Sequence, residues 1–148
     1  MRAVVTRVKN ASVQIDNEIR GEIEKGFLIL LGIAPEDTEL CCRKLAEKIL
    51  GLRVFEDENG KMNLNAAAAG CSNILLISQF TLFADCKSRR PGFTKAARPD
   101  KAVPLYELVI AKCREQGFHV ETGEFGADMK VDSQNDGPVT IILDTNEL

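Results

Sequence analysis

Histidine and tryptophan are almost absent from this sequence, which has one histidine and no tryptophan among its 148 residues. A metal site made of several histidines is therefore excluded, and a Ser-His-Asp triad would have to use His119. His119 lies in an alternating pattern typical of a strand, which favours a structural role for it. The sequence also contains neither a P-loop for nucleotide phosphates nor a GxGxxG fingerprint.

The cysteines form no recognisable framework either. Their number is odd and no two of them have CxxC spacing, which argues against paired disulfides and against a zinc site. We predict that no metal is bound and that all five are structural or incidental: Cys41, Cys42, Cys71, Cys86 and Cys113.

Long apolar runs are missing as well. The longest, residues 27–34, is far shorter than the ~20 residues that cross a bilayer. The first eight residues hold no apolar stretch of the length that a signal peptide needs. These absences predict a soluble, cytoplasmic protein with no membrane partner. A length of 148 residues fits one domain, residues 1–148, with one core.

Positive charge is scarce overall but locally concentrated. The net charge of −3 and a pI near 5.3 argue against broad, sequence-blind binding to nucleic acid. Residues 87–98 nevertheless form a stretch of twelve residues without a single acid. Such a stretch is either a solvated loop or a small patch that contacts phosphate groups. Its basic residues are Lys87, Arg89, Arg90, Lys95 and Arg98.

Apolar periodicity predicts many strands and two main helices. The first helix begins near Thr38, carries an apolar stripe that includes Leu45 and Ile49, and ends at Gly51. The second covers about residues 101–116. We therefore predict an α+β fold in a single domain, with a mostly antiparallel β-sheet or barrel-like core. The predicted strands are residues 2–8, 11–16, 18–24, 27–33, 52–55, 61–63, 73–80, 118–122, 128–134 and 138–143.

One unusual segment is SQFTLFAD, residues 78–85, where polar Ser78 and Gln79 interrupt the end of an apolar strand. A strand that breaks off here would expose the backbone N–H groups of Phe80 and Thr81. Two such donors could stabilise a developing oxyanion without any ionisable side chain. The alternative is an ordinary strand end with satisfied turn hydroxyls, which the pattern alone favours.

A second unusual segment is NDGPVT, residues 135–140. An Asp-Gly pair before proline marks a turn that feeds the last strand. Gly137 has no Cβ, so a substrate could approach its backbone closely, and the bond to Pro138 is of the kind that can be cis. From the pattern alone, a plain hairpin turn is favoured.

Taken together and in this order, SQFTLFAD, RPGFTKAARP and NDGPVT resemble the D-aminoacyl-tRNA deacylase family. The similarity covers the whole chain and includes MRAVVTRVKNASVQID at its start, the LLGI strand, KMNLN at 61–65 and ETGEFGADM at 121–129. The resemblance implies a homodimer with an antiparallel β fold and flanking helices. It also implies a cofactor-free enzyme that hydrolyses D-aminoacyl-tRNA, and glycyl-tRNA(Ala), to the free amino acid and tRNA.

The resemblance also implies roles for individual residues. The catalytic segment would be Ser78, Gln79, Phe80 and Thr81. In the family, the dipeptide matched by Gly137 and Pro138 is a Gly-cisPro motif that enters the pocket of the other subunit. Further substrate-binding positions would be Phe125, Met129 and Arg7, and the tRNA-binding positions would be Lys87, Arg89 and Arg90.

The mechanism that the resemblance implies uses few side chains. The 2′-OH of the terminal adenosine helps to activate water, and the amides of Phe80 and Thr81 stabilise the intermediate. A nucleophilic Thr81 is an alternative, but it needs a neighbouring base, and none is evident in the segment. Carbonyl groups of Gly137 and Pro138 would hold the α-ammonium and leave no room for an L side chain.

Two positions depart from the family pattern. Phe83 stands where the family often has Tyr, and Gly92 stands where it has Ser, which removes a hydroxyl from the basic loop.

Two other functional classes stay open on the residues alone. One is an RNA-binding module without hydrolysis, and the other is a thioesterase-like hydrolase of small acyl esters that needs no tRNA.

Overall fold

The computed structural model describes all residues from Met1 to Leu148. Two helices, α1 (Glu39–Gly51) and α2 (Pro99–Glu115), accompany eight strands. Two short 3₁₀ turns, Phe80–Phe83 and Thr145–Glu147, complete the chain. The strands are β1 (Arg2–Ile15), β2 (Glu18–Ile23), β3 (Gly26–Gly32), β4 (Phe55–Glu56), β5 (Met62–Leu64), β6 (Asn73–Ser78), β7 (His119–Thr122) and β8 (Lys130–Asp144).

The long strand β1 organises the main sheet. One edge of β1 pairs along its length with β8, and the other edge pairs first with β3 and then with β2, all antiparallel. The sheet continues from β3 through β6 to β7 with parallel pairings, each of which is connected through one of the helices. A separate antiparallel pair is formed by β4 and β5.

The main sheet curls until its far edges approach each other. A Cβ atom built on Gly21 of β2 would lie 2.9 Å from the carbonyl oxygen of Thr122 and 3.3 Å from the Cβ of Glu121, both on β7. Only a residue without a side chain allows this approach. The core is therefore a nearly closed barrel, and the predicted α+β fold with a barrel-like core and two main helices is confirmed.

Apolar side chains fill both sides of the sheet. Cys42, Leu45, Ala46 and Ile49 of α1 are buried at helical spacing, and they pack with α2 against the outer face of the barrel. This cluster of 26 buried residues forms the main core. A smaller cluster lies inside the barrel: Val8, Ala11, Val13, Ile23, Leu28, Leu75 and Ile77.

The structure corrects several predicted boundaries. Helix α2 begins at Pro99 instead of residue 101, because proline suits the first helical position, where no N–H is needed. The strand predicted at 73–80 ends at Ser78. The segments 2–8 and 11–16 form one strand, and so do 128–134 and 138–143, which belong to β8.

The hairpin interpretation of NDGPVT is therefore wrong. Asn135 pairs with Val8 and Thr140 pairs with Thr6, so both halves of β8 lie along the same strand. Between these pairs, the single residue Arg7 of β1 faces the four residues Asp136 to Val139 of β8. We call Asp136–Val139 the β8 bulge. A β-bulge re-aims the backbone locally without ending the strand.

The two ends of the described chain are held together. The Met1 ammonium lies 2.6 Å from Asp37 Oδ1 and donates to Thr145 Oγ1 at 2.9 Å, and both Met1 and Asp37 are buried. No helix of the structure has the length and apolar character needed to cross a membrane.

Candidate active site

The SQFTL segment leaves the sheet at the end of β6. Gln79 makes the last hydrogen bond of the sheet, with its N–H donating to the Leu31 carbonyl at 2.8 Å. The chain then closes a 3₁₀ turn, in which Leu82 N–H donates to the Gln79 carbonyl and Ala84 N–H to the Thr81 carbonyl. The N–H groups of Phe80 and Thr81 stand at the start of this turn, where helical geometry provides no acceptor. The predicted strand break and its two unused donors are therefore present.

Gly32 allows the turn to sit tightly against the sheet. A Cβ atom at Gly32 would lie 3.0 Å from the Gln79 carbonyl oxygen and 3.1 Å from the Leu82 Cβ. Sequence reasoning did not single out this residue. A glycine inside an apolar strand is, however, a recognised sign of a close backbone approach, so the signal was available.

The hydroxyl of Thr81 is hydrogen-bonded to a side-chain amide and has no base as a partner. Its hydroxyl accepts a hydrogen bond of 2.6 Å from Gln79 Nε2, and its side chain is exposed. A carboxamide cannot take a proton from a hydroxyl at neutral pH. The structure therefore offers Thr81 no activating partner of the kind that a nucleophilic hydroxyl requires.

A narrow cleft of about 50 Å³ adjoins the turn. Its lining includes both polar residues that end β6 and an apolar wall, and it consists of Leu31, Ile33, Ser78, Gln79, Phe80, Ala97, Ala102, Tyr106, Phe125 and Gly126. Larger clefts of about 500 and 430 Å³ lie near the C-terminal half of α1 and contain none of the predicted site residues. A cleft of about 50 Å³ holds only part of a group as large as an aminoacyl-adenosine.

Tyr106 and Phe125 form the wall of the cleft opposite the turn. Their rings meet edge to face with centroids 6.1 Å apart, and the Tyr106 hydroxyl donates to the Leu76 carbonyl at 2.7 Å. Burial raises the pKa of Tyr106 far above its ordinary value, so the phenol stays neutral. Met129 is not part of this wall. It packs against the cluster inside the barrel and lies directly over Gly123.

The β8 bulge is anchored by Arg7. This buried guanidinium donates from Nε to the Asp136 carbonyl at 3.0 Å and from Nη1 to the Val54 carbonyl at 2.6 Å. The Gly137–Pro138 bond is cis, as the sequence predicts, and both residues are exposed. Gly137 has a φ of +128°, and a Cβ there would lie 2.8 Å from Val139 Cγ2. Glycine is therefore required at this position.

The β8 bulge and the Phe80–Phe83 turn lie far apart within one chain. Ser78 is in register with Leu31, which is in register with Ala3, whereas the bulge lies opposite Arg7. A separation of four residues along β1 corresponds to about 13 Å, and three strand spacings add roughly 14 Å across the sheet. Neither Gly137 nor Pro138 lines the cleft.

The basic loop, residues 85–92, in contrast adjoins the Phe80–Phe83 turn. Backbone hydrogen bonds of 2.8 and 2.9 Å between Asp85 and Gly92 close the loop, so that Lys87, Arg89 and Arg90 lie exposed at its tip. The N–H of Lys87 lowers the pKa of Asp85, and nearby Lys95 lowers it further although partial desolvation opposes both. The loop reaches the turn through Phe93, whose ring packs edge to face on Phe80 with centroids 5.0 Å apart.

The chain is similar to known proteins over nearly its whole length. The D-Tyr-tRNA(Tyr) deacylase family model matches residues 4–144. The chain is 56% identical to the D-aminoacyl-tRNA deacylase of Thermus aquaticus, over 99% of this chain and 97% of that protein. It is 53% identical to the D-aminoacyl-tRNA deacylase of Clostridium perfringens strain SM101, over 99% of both.

Solved structures extend the likeness to the fold. The c-Myc DNA Unwinding Element Binding Protein superposes with a TM-score of 0.91 at 40% identity, covering 97% of this chain and 98% of that one. A probable eukaryotic D-amino acid tRNA deacylase superposes with a TM-score of 0.80 at 15% identity, covering 96% and 97%, which is a likeness in fold alone.

Sequence and fold together place the chain among the hydrolases that act on aminoacyl-tRNA esters. More narrowly, it belongs to the D-Tyr-tRNA(Tyr) deacylase family, and it is an enzyme that removes D-amino acids from tRNA in the proofreading of translation. The resemblance drawn from the motifs is thereby confirmed. An RNA-binding module without hydrolysis and a thioesterase-like hydrolase are no longer needed as alternatives.

Proposed function

We propose that the ester is hydrolysed at Ser78–Thr81, that the β8 bulge of a second subunit selects the chirality, and that residues 1–148 act as one deacylase domain. The observation that carries this proposal is the pair of unused N–H groups at Phe80 and Thr81, directly beside the cleft. Donors fixed before the reaction begins stabilise the charge that develops on the ester oxygen.

The chemistry requires little more than these donors. Water attacks the ester carbonyl carbon, the carbonyl oxygen becomes an oxyanion, and the two N–H groups hold it. The 2′-OH of the terminal adenosine orients the water and relays the proton that the water loses towards the departing ribose oxygen. The bond to the ribose oxygen then breaks, a proton moves to that oxygen, and free amino acid and tRNA result. Gln79 fixes the Thr81 hydroxyl, so Thr81 acts through its backbone.

We propose further that two copies of the chain form a dimer in which each bulge enters the other's cleft. Three observations support this. The bulge and the turn are too far apart to cooperate within one chain. The cleft is too small by itself. Val4 lies in register with both Leu30 and Ile142, and this row forms an apolar strip in which Ile142 is 71% exposed. In a dimer with two-fold symmetry, the same surface of both copies lies in the interface, so the strip would be covered on each copy.

Chiral selection then follows from what the bulge can offer. Pro138 has no N–H, so the bulge presents carbonyl oxygens, which suit the α-ammonium of the substrate. An L side chain would collide with the bulge, whereas a D side chain would point away from it. Glycine has no side chain to reject, so glycyl-tRNA(Ala) should also be hydrolysed.

The exposed tip of the basic loop would hold the tRNA. Lys87, Arg89 and Arg90 are close to the turn because Phe93 packs on Phe80. Lysine and arginine at such positions contact phosphates and orient the RNA without reading its sequence. We place the reaction in the cytoplasm, where aminoacyl-tRNA is consumed by translation.

Subunit mixing tests the shared site. Phe80→Pro removes one donor, and Gly137→Ala fills the bulge, so each variant alone should lose most of its activity on D-Tyr-tRNA. Random exchange between the two variants restores one intact site in each mixed dimer, or about a quarter of all sites in a two-fold dimer. Recovery of activity on mixing supports the proposal. A mixture as inactive as its components, in which mass spectrometry detects mixed dimers, would contradict it.

A further inference from the structure

Arg2 contacts two residues at the C-terminal end of the Phe80–Phe83 turn, which we call the catalytic turn, and one residue at the end of β8. Its Nη1 donates to the Leu82 carbonyl at 2.9 Å, and its Nε donates to Asp144 Oδ2 at 3.0 Å. The guanidinium carbon lies 4.6 Å from the centroid of the buried Phe83 ring, a cation–π geometry. No other side chain donates a hydrogen bond to the backbone of the turn.

The contacted carbonyl and the free donors belong to the same short turn. Leu82 O lies near its C-terminal end, and the N–H groups of Phe80 and Thr81 lie at its N-terminal end. A 3₁₀ turn of four residues has weak hydrogen bonds of its own. A positive group at the C-terminal end complements the dipoles of its peptide units and fixes the direction of the whole turn.

Asp144 connects this clamp to the strand that carries the bulge. Burial raises the pKa of Asp144, but the N–H of Asn146 and the Arg2 guanidinium lower it more, so the pKa lies below its ordinary value. The pair is therefore charged at neutral pH. Through Asp144 at the end of β8, Arg2 ties the catalytic turn to the strand that carries Gly137 and Pro138.

We infer that Arg2 is a positioning residue for ester hydrolysis, which aims the Phe80 and Thr81 N–H groups by holding the Leu82 carbonyl. The inference rests on the proposed role of these donors. A purely structural role for Arg2 is a weaker explanation, because its side chain is 39% exposed and exposed ion pairs contribute little to stability. Displacement of a catalytic group, in contrast, lowers the reaction rate by a large factor.

The test compares kcat and KM on D-Tyr-tRNA for variants of the full-length enzyme. Arg2→Met keeps most of the apolar stem and removes the donors; kcat should fall about ten- to a hundredfold while KM stays within about threefold. The single ammonium group of Arg2→Lys can reach the Leu82 carbonyl or Asp144 but lacks the planar fork that binds both, so kcat should lie between those of the wild type and Arg2→Met. Asp144→Asn keeps the acceptor oxygen that Arg2 contacts, so its loss should be smaller than that of Arg2→Met.

Ile49→Val provides the control for stability. It removes one methylene from the core under α1, far from the turn, and should lower Tm without lowering kcat. Hydrogen exchange should be faster at residues 79–84 in Arg2→Met and unchanged in α1. Wild-type kcat in Arg2→Met, or exchange that rises equally in α1, would overturn the inference. If Phe80→Pro, made in the otherwise wild-type enzyme, keeps full activity, the proposed role of the donors fails instead.

Discussion

Two interruptions of the regular sheet, the Phe80–Phe83 turn and the β8 bulge, are chemically opposite. At Phe80–Phe83 the chain leaves the sheet after β6, and the break presents unused N–H donors beside an apolar cleft. At the β8 bulge the strand continues, and Pro138 offers no N–H, so the break presents acceptors to solvent. An aminoacyl ester needs both, because its carbonyl oxygen becomes negative while its α-ammonium is positive. In the proposed dimer, catalysis and chiral selection are separated within one chain and are combined only between two chains.

The largest effect should come from removing a donor at the turn. Phe80→Pro deletes one N–H at a first-turn position that proline tolerates, and Gln79 before it lies outside the helical region, with a φ of −144° and a ψ of 81°. We expect kcat/KM on D-Tyr-tRNA to fall about a hundred- to a thousandfold. Phe80→Ala keeps the N–H and serves as the matched control. An equal loss in both variants would show that the side chain matters and that the donor does not.

The next largest effect should come from the bulge. Gly137→Ala places a Cβ 2.8 Å from Val139 Cγ2 and 3.0 Å from Arg7 Nη2, at a φ that side chains rarely adopt. We expect D-aminoacyl-tRNA hydrolysis to fall about ten- to a hundredfold, because the substrate can no longer approach correctly. Circular dichroism should still show a folded protein. Full activity in a folded Gly137→Ala variant would remove the bulge from the site.

A smaller effect is expected at the basic loop. Replacing Arg89 and Arg90 with Ala removes two exposed charges next to the turn, so KM for D-Tyr-tRNA should rise. The slope of log affinity against log salt should become shallower by about 1.5, as expected for two lost phosphate contacts. Kinetics at several salt concentrations measure both quantities. A gain of activity on L-Tyr-tRNA would assign the loop a role in chirality that we do not expect.

The Thr81 side chain should matter little. Thr81→Ala keeps the N–H and loses only a hydroxyl that bonds to Gln79, so kcat should fall by less than about threefold. Single-turnover kinetics on D-Tyr-tRNA measure this directly. A loss near a thousandfold, the scale on which a key stabilising group is lost, would revive the nucleophile hypothesis.

The smallest effect is expected from chelation. The chain has a single histidine and no CxxC pair, so EDTA should leave hydrolysis of D-Tyr-tRNA unchanged. Rates with and without chelator, followed by addition of zinc, provide the measurement. Loss of activity in EDTA that zinc restores would contradict the donor-only mechanism.

Local patterns predicted the elements well where burial is regular. The stripe of Leu45 and Ile49 gave α1 its correct end at Gly51, because helical periodicity and the C-terminal glycine agree. The prediction of a hairpin at NDGP was wrong because its turn-forming residues lie within a bulge of one continuous strand. Arg7, a residue of β1 far away in the sequence, holds this bulge through a hydrogen bond to the Asp136 carbonyl.

The site was predictable only in part. Ser78 and Gln79 stood out as polar residues at the end of an apolar strand, and the structure places them beside the cleft. Arg2 could not be assigned from its own surroundings in the sequence. Its partners, Leu82 and Asp144, lie 80 and 142 positions away, so only the folded sheet brings them together.

The pairing of β1 with β8 joins the first strand of the chain to the last. During synthesis, β1 emerges from the ribosome with one edge that stays without its partner until β8 has been made. Contacts of such long sequence separation form slowly, because a large loop must close first. An unpaired strand edge meanwhile invites pairing with other chains. An enzyme that proofreads translation thus depends on its own translation reaching β8 before its central sheet can be completed.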